Sequence, residues 1–272
     1  MSSFRLTLAY DGTDFAGSQV QPGQRTVQGD LEATLRRLGG DAVSTVFAGR
    51  TDRGVHAAGQ VVAVRFPEWR AGTQALENAL AARLPGDLAA RHVEACGEAF
   101  NPRFDAQWRE YRYWIAPGVR SPFWGRYAWL LRDDVDVVRM DAAAQALLGT
   151  HDFASFAGGG EGVPWSDRAA RPRGTVRTLY RCQVRRMAAD AGPGRDVAAE
   201  AIEVRIAADG FLPRMVRNIT GALVEIGQER QEPGWIREIL AARDRRQGSP
   251  VAPAHGLTLW RVGYAGDALN DE

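Results

Sequence analysis

The sequence predicts an α+β fold of two similar halves, residues 1–105 and 106–272, each a mixed β-α-β-β-α-β-like unit, with a mainly antiparallel sheet forming a central cleft. Three observations predict it. The first hundred residues alternate period-two and helical apolar patterns in the order β-α-β-β-α-β. The remainder again mixes helices with hairpin-like strands, a repeat of element order without sequence identity. No stretch reaches the roughly 18 consecutive apolar residues of a membrane-spanning helix.

The elements follow in order. Leu6-Thr7-Leu8-Ala9-Tyr10 alternates and stops at Asp11-Gly12, a turn signal. Thr26 reads as an N-cap before Val27, Leu31, Leu35 and Leu38 at helical spacing, and Gly39-Gly40 ends that helix. Ser44 to Ala48 and Gly59 to Phe66 read as strands, the second rich in valine. Thr73 to Arg83 suggests a helix closed by Pro85-Gly86, and Leu88 to Ala95 a strand. In the second half, Trp108 to Ile115 and Tyr127 to Leu130 are strand-like, and Val135 to Leu148 is an amphipathic helix ahead of Gly149. Thr175 to Met187 and Ala198 to Ile206 read as two long strands. Met215, Ile219, Leu223 and Ile226 mark a helix, Pro233 opens another in the first-turn position, and Leu257 to Val262 is the final strand. Ala157 to Pro172 is glycine-rich and reads as a mobile surface loop; Ala265 to Glu272 reads as a frayed polar tail.

Composition narrows the chemistry. Hydrophobic residues make up 45% and charged residues 25% of the chain, ordinary for a soluble globular protein. The opening Met1-Ser2-Ser3-Phe4-Arg5-Leu6 lacks the regions of a signal peptide, so a cytoplasmic location is expected, with Cys96 and Cys182 reduced. All 34 basic residues are arginine. Without lysine there is no Schiff base, no P-loop lysine and no lysine general base. Any phosphate held by a permanently charged side chain must be held by guanidinium groups. His56, His92, His151 and His255 show no ligand spacing with the two cysteines, so no metal is expected. No cofactor motif is visible.

One segment carries chemistry: Phe47-Ala48-Gly49-Arg50-Thr51-Asp52-Arg53-Gly54-Val55-His56-Ala57, between two expected strands. Its glycines permit sharp turns and close approach to a ligand. Arg50 and Asp52 lie two residues apart, so in an extended loop they share a face. A guanidinium beside a carboxylate favours the charged form, and a positioned carboxylate is a competent nucleophile. Taken alone, an Arg-x-Asp pair reads as an ion pair closing a loop rather than as a catalytic pair.

The string resembles the signature of the pseudouridine synthases that act on the anticodon arm of transfer RNA, Ala-Gly-Arg-Thr-Asp-x-Gly-Val-His-Ala, and matches every fixed position. The resemblance extends through Tyr10-Asp11-Gly12-Thr13, Gln21 to Gln28, Leu84-Pro85-Gly86-Asp87, Asn101-Pro102-Arg103-Phe104-Asp105 and Tyr111-Arg112-Tyr113. It continues in Phe153 to Phe156, Thr175 to Leu179, Phe211 to Arg217 and Gly256-Leu257-Thr258-Leu259. Two departures stand out: Ser18, where the family usually has tryptophan, and the glycine-rich insertion from Gly158 to Trp165.

The resemblance implies isomerisation of uridine to pseudouridine, with no cofactor and with the target base flipped out of the RNA. It implies Asp52 as nucleophile, Arg50 orienting it, Tyr111 stacking on the uracil and serving as general base, Arg217 pairing with Asp52, and Leu257 packing against the nucleotide. It also implies a homodimer in which one tRNA touches both subunits. Tyr111 and Tyr113 lie on one face of an alternating strand, so periodicity alone does not choose between them. The densest basic run, Arg168, Arg171, Arg173, Arg177, Arg181, Arg185 and Arg186, is the expected tRNA contact, with Arg171, Arg173 and Arg177 at its centre. Two other readings compete. A non-catalytic RNA-binding protein would lack Asp52 or Tyr111, and both are present. A nucleotide-dependent enzyme using Gly158-Gly159-Gly160 would need a strand-glycine-helix context that the surrounding residues do not supply.

Overall fold

The computed structural model describes residues 3–67, 69–118, 122, 124–158, 174–187 and 201–270. They fall into two compact units, Met1–Arg109 with Thr258–Glu272, and Glu110–Leu257. The fold is α+β, and most strand pairs are antiparallel. The sequence division at residue 105/106 counts the final strand with the second half; the contacts cluster it with the first unit.

In the first unit the strands are β1 (Ser3–Tyr10), β2 (Ser44–Phe47), β3 (His56–Arg65), β4 (Leu88–Ala95) and β10 (Leu257–Gly263). β1 lies between β4 and β3, antiparallel to both. The other edge of β3 is shared: β2 takes Val62 to Arg65 antiparallel, and β10 takes His56 and Ala57 in parallel. Phe4, Leu6, Leu8 and Tyr10 are buried on alternate positions of β1, as the pleat requires. Helix α1 (Val27–Gly39) starts where the Thr26 hydroxyl accepts the Gly29 N–H at 3.2 Å. It buries Val27, Leu31 and Leu35 as one stripe. Helix α2 (Thr73–Ala81) buries Leu76 and Leu80 and packs against β4 and α1.

In the second unit the strand order is β5-β9-β8-β7, where β5 is Trp108–Pro117, β7 is Gly149–Asp152, β8 is Val176–Arg186 and β9 is Ile202–Ala208. β6 (Trp129–Leu131) pairs in parallel with β5. Helix α3 (Val137–Gln145) packs on β8 and on α4 (Met215–Gly227). α4 is buried almost all round, including Met215, Ile219, Leu223 and Ile226. Helix α5 (Trp235–Ala242) follows Gly234 as N-cap, so Pro233 precedes the cap instead of occupying the first turn. α3 stops at Gln145, short of the Leu148 expected; Gly149, at φ 90°, turns the chain into the short strand β7. Among the described residues no helix is long and apolar enough to cross a membrane.

Candidate active site

The loop between β2 and β3 is held from below by buried side chains. Gln60, fully buried on β3, accepts the Gly49 N–H on its Oε1 at 3.2 Å and donates from Nε2 to the Gly49 carbonyl at 2.8 Å. The Tyr10 and Thr51 hydroxyls share a hydrogen bond at 2.8 Å. Burial pushes the Tyr10 phenol up to about 12, so it stays neutral. Thr51 donates its N–H to the Ser18 Oγ at 2.9 Å and accepts the Ser18 N–H on its carbonyl at 3.1 Å. Arg109, 9% exposed, donates to the carbonyls of Ala48, Arg103 and Ala106, tying Asn101-Pro102-Arg103-Phe104 to the loop.

The alternation has a consequence. Thr51 is buried and Gly49 partly so, whereas Arg50 and Asp52 are exposed. Arg50 and Asp52 are thus both exposed on either side of the buried Thr51, on a loop anchored through Gly49 and Thr51.

The flanks of the loop are equally tight. A Cβ on Gly12 would sit 2.1 Å from the Val55 carbonyl oxygen. Gly17, at φ 113°, would place one 2.9 Å from the Thr51 oxygen. The Gly12 N–H donates to His56 Nδ1 at 3.0 Å, while Asp11 Oδ1 lies 3.2 Å from the same nitrogen. One nitrogen cannot accept from Gly12 and donate to Asp11 at once. The directional backbone contact assigns Nδ1 as the acceptor. Arg53 donates to Gln24 Oε1, and Arg25 makes a two-point pair with Asp87 at 2.7 and 2.8 Å while lying 4.2 Å above the Phe15 ring. The Gln21 to Gln28 segment is thereby pinned on both sides.

The other expected site residues belong to the second unit. Tyr111, 9% exposed, meets the Phe211 ring edge-on at 5.1 Å. Tyr113 is fully buried, and its hydroxyl donates to the Pro253 carbonyl at 2.8 Å. Burial raises the Tyr113 phenol well above its ordinary value, opposed in part by Arg217. Arg217 is half-buried; its Nε donates to the Ala252 carbonyl at 2.8 Å, and the Ala252 N–H returns a bond to the Arg217 carbonyl at 3.2 Å. Leu257, the first residue of β10, is buried. Arg171 and Arg173 lie outside the described residues, as do Arg168 and most of the glycine-rich stretch.

The rest of the basic run is less cationic than its sequence suggests. Arg181 pairs with Glu110 at 3.0 Å, Arg185 with Glu203 at 2.8 Å, and Arg186 with Asp134 at 2.7 Å. Glu110 also receives Arg112 and the fully buried Arg205, and Glu203 lies 3.2 Å from Arg112. Four guanidiniums therefore share two carboxylates across β5, β9 and β8. Arg177 is half-buried and donates to the carbonyls of Gly174 at 3.1 Å and Val176 at 2.6 Å. Among the described residues no group of three or more His, Cys, Asp or Glu could hold a metal ion.

A model of the family described as tRNA pseudouridine synthase matches residues 7–105 and 143–265. The chain belongs to the tRNA pseudouridine synthase family. It is an isomerase. It is 42% identical over 271 residues to the tRNA pseudouridine synthase A of Brevibacillus brevis, covering 97% of this chain and 100% of that one. The Geobacillus kaustophilus enzyme of the same name is 42% identical over 268 residues, 97% of this chain and 95% of that one. That of Thermosipho africanus is 39% identical over 262 residues, 96% and 99%.

Sequence reading does not single out Tyr10, Gln60 or Arg109. One signal for Gln60 was available: a glutamine directly before Val61-Val62-Ala63-Val64 in a buried strand must find partners for its amide.

Proposed function

We propose that this chain converts uridine to pseudouridine in the anticodon arm of tRNA, with the Asp52 carboxylate as nucleophile. The observation that carries the reading is an exposed carboxylate beside an exposed guanidinium, on a loop whose backbone is anchored by buried side chains. The reaction suits that equipment. The N1–C1′ glycosidic bond breaks, the uracil turns, and C5 bonds to C1′; C5 loses a proton and N1 gains one. Atoms balance, and nothing is oxidised or reduced. In this reading Arg50 orients the carboxylate, Tyr111 stacks on the uracil and moves the C5 proton, Arg217 supplies a second guanidinium to the reaction, and Leu257 packs against the nucleotide. Flipping the target base costs roughly a few kcal/mol, offset by phosphate contacts. Arg177 is a candidate for one such contact, with Arg171 and Arg173 beside it in sequence. The enzyme is proposed to act as a cytoplasmic homodimer.

The test is incubation of the protein with unmodified tRNA, followed by mapping of pseudouridine. Product at anticodon-arm uridines is expected. Asp52→Asn should give none while binding tRNA within about tenfold of wild type, or roughly 1.4 kcal/mol. Full turnover by pure Asp52→Asn would overturn the role of Asp52; product elsewhere in the tRNA would overturn the anticodon-arm assignment.

A further inference from the structure

We propose that Gln60 and Ser18 are positioning residues for the nucleophile: two buried side chains that fix the backbone on either side of Arg50 and so aim Asp52. The inference rests on the assignment of Asp52 above and extends it to residues that touch no substrate.

The geometry is specific to the loop. Gln60 spends its amide on a single residue, Gly49, satisfying both its N–H and its carbonyl, with a longer 3.5 Å contact to the Tyr10 hydroxyl. Two residues on, the Ser18 hydroxyl accepts the Thr51 N–H, and the Ser18 backbone N–H donates to the Thr51 carbonyl. Tyr10 closes the ring by binding the Thr51 hydroxyl. Both backbone polar groups of Gly49 and of Thr51 are thus held by protein groups. Holding these peptide groups restrains the backbone on both sides of Arg50 and immediately before Asp52.

Packing alone does not explain the choice of residues. Gln60 and Ser18 are 0% and 1% exposed, at sites where an apolar side chain would avoid the cost of burying a polar group. Each polar group is repaid by bonds to the loop that carries Asp52.

Three variants test the idea by single-turnover rate and tRNA affinity, with the folded fraction followed by circular dichroism at each pH. Gln60→Leu removes both bonds to Gly49. Its rate should fall roughly 10- to 100-fold, the scale expected of a small misplacement of a reacting group, with affinity within about threefold. Gln60→Glu is the diagnostic substitution. A protonated glutamic acid keeps one donor and one acceptor, whereas the carboxylate keeps acceptors only. The rate of folded Gln60→Glu relative to wild type should therefore rise as pH is lowered from 8 to 6, and the Gln60→Leu ratio should stay flat. Ser18→Ala, which removes one oxygen, should slow the reaction about 3- to 10-fold at unchanged affinity, and it carries the test if Gln60→Leu does not fold. Folded Ser18→Ala and Gln60→Glu with wild-type rates at all pH values would overturn the proposal. So would losses that appear only in affinity. Asp52→Asn is measured in parallel: its activity bears on the nucleophile, so an inactive Asp52→Asn beside fully active Ser18 and Gln60 variants sinks the positioning role alone.

Discussion

The Tyr113 hydroxyl donates to the Pro253 carbonyl at 2.8 Å, inside a pocket that leaves the tyrosine no exposure at all. Gly256 belongs to the same contact, since a Cβ there would sit 2.5 Å from Tyr113 Cζ. Tyr113 is thus a structural tyrosine that pins the segment leading into Leu257. Tyr113→Phe should destabilise the fold by about 1–3 kcal/mol, the cost of a buried carbonyl losing its donor. The folded variant should keep most of its isomerase rate. Chemical unfolding and single-turnover assays on the same preparation check both halves. An unchanged stability with a rate lost a hundredfold would give Tyr113 the catalytic part.

A second prediction separates buried from exposed ion pairs. Glu203 is fully buried between Arg112 and Arg185, so Glu203→Gln leaves two guanidiniums without their shared charge. The expected loss is about 3–5 kcal/mol. Asp134→Asn breaks the Arg186 pair, where the Asp134 side chain is 66% exposed, and should cost under about 1 kcal/mol. Urea unfolding of both variants decides; equal losses would mean that the network is not the clamp its burial suggests.

That network also shows where sequence reading runs out. The arginines of β8 stand out as a basic run because they are local. Their carboxylates, Glu110 and Glu203, arrive from β5 and β9, and no local charge count can see them. Most elements are legible because their signals are local too: the Thr26 cap, the valines of β3, the spacing of Met215, Ile219, Leu223 and Ile226. β7 is missed because four residues, Gly149 to Asp152, carry too little pattern; their strand character comes from pairing with Val176 to Leu179. The place of β10 beside β3 is equally non-local. The loop of Arg50 and Asp52 is readable, as a motif. What holds it is not, because Tyr10, Ser18, Gln60 and Arg109 converge on it from separate segments.

A third prediction uses pH. His255 is half-buried; burial lowers its pKa, a backbone hydrogen bond at Ala128 opposes this, and the charge of Arg217 adds to the lowering. The unfolded chain then takes up a proton below about 6.5 that the folded chain resists. Stability therefore rises with pH across that window and is lost as pH falls through the folded value. His255→Gln, with no charge to take up, should show a smaller drop in Tm between pH 7.5 and 5.5 than wild type. Identical drops would assign the acid sensitivity to other groups.

The last prediction concerns Tyr111. It meets Phe211 edge-on, and that contact survives replacement of tyrosine by phenylalanine, since the ring is unchanged. Tyr111→Phe therefore isolates the hydroxyl. If the ring only stacks on the uracil, the variant keeps a π-face worth about 1–3 kcal/mol and most of its activity. If the hydroxyl moves a proton, the rate should fall about 10²- to 10⁴-fold while tRNA affinity stays near normal. We expect the second outcome. Tyr113→Phe should lose stability and retain rate, whereas Tyr111→Phe should lose rate. Single-turnover rates, tRNA affinities and unfolding curves for the two variants separate the two roles. A normal rate for Tyr111→Phe would reduce that residue to a stacking platform and leave the C5 proton to another group.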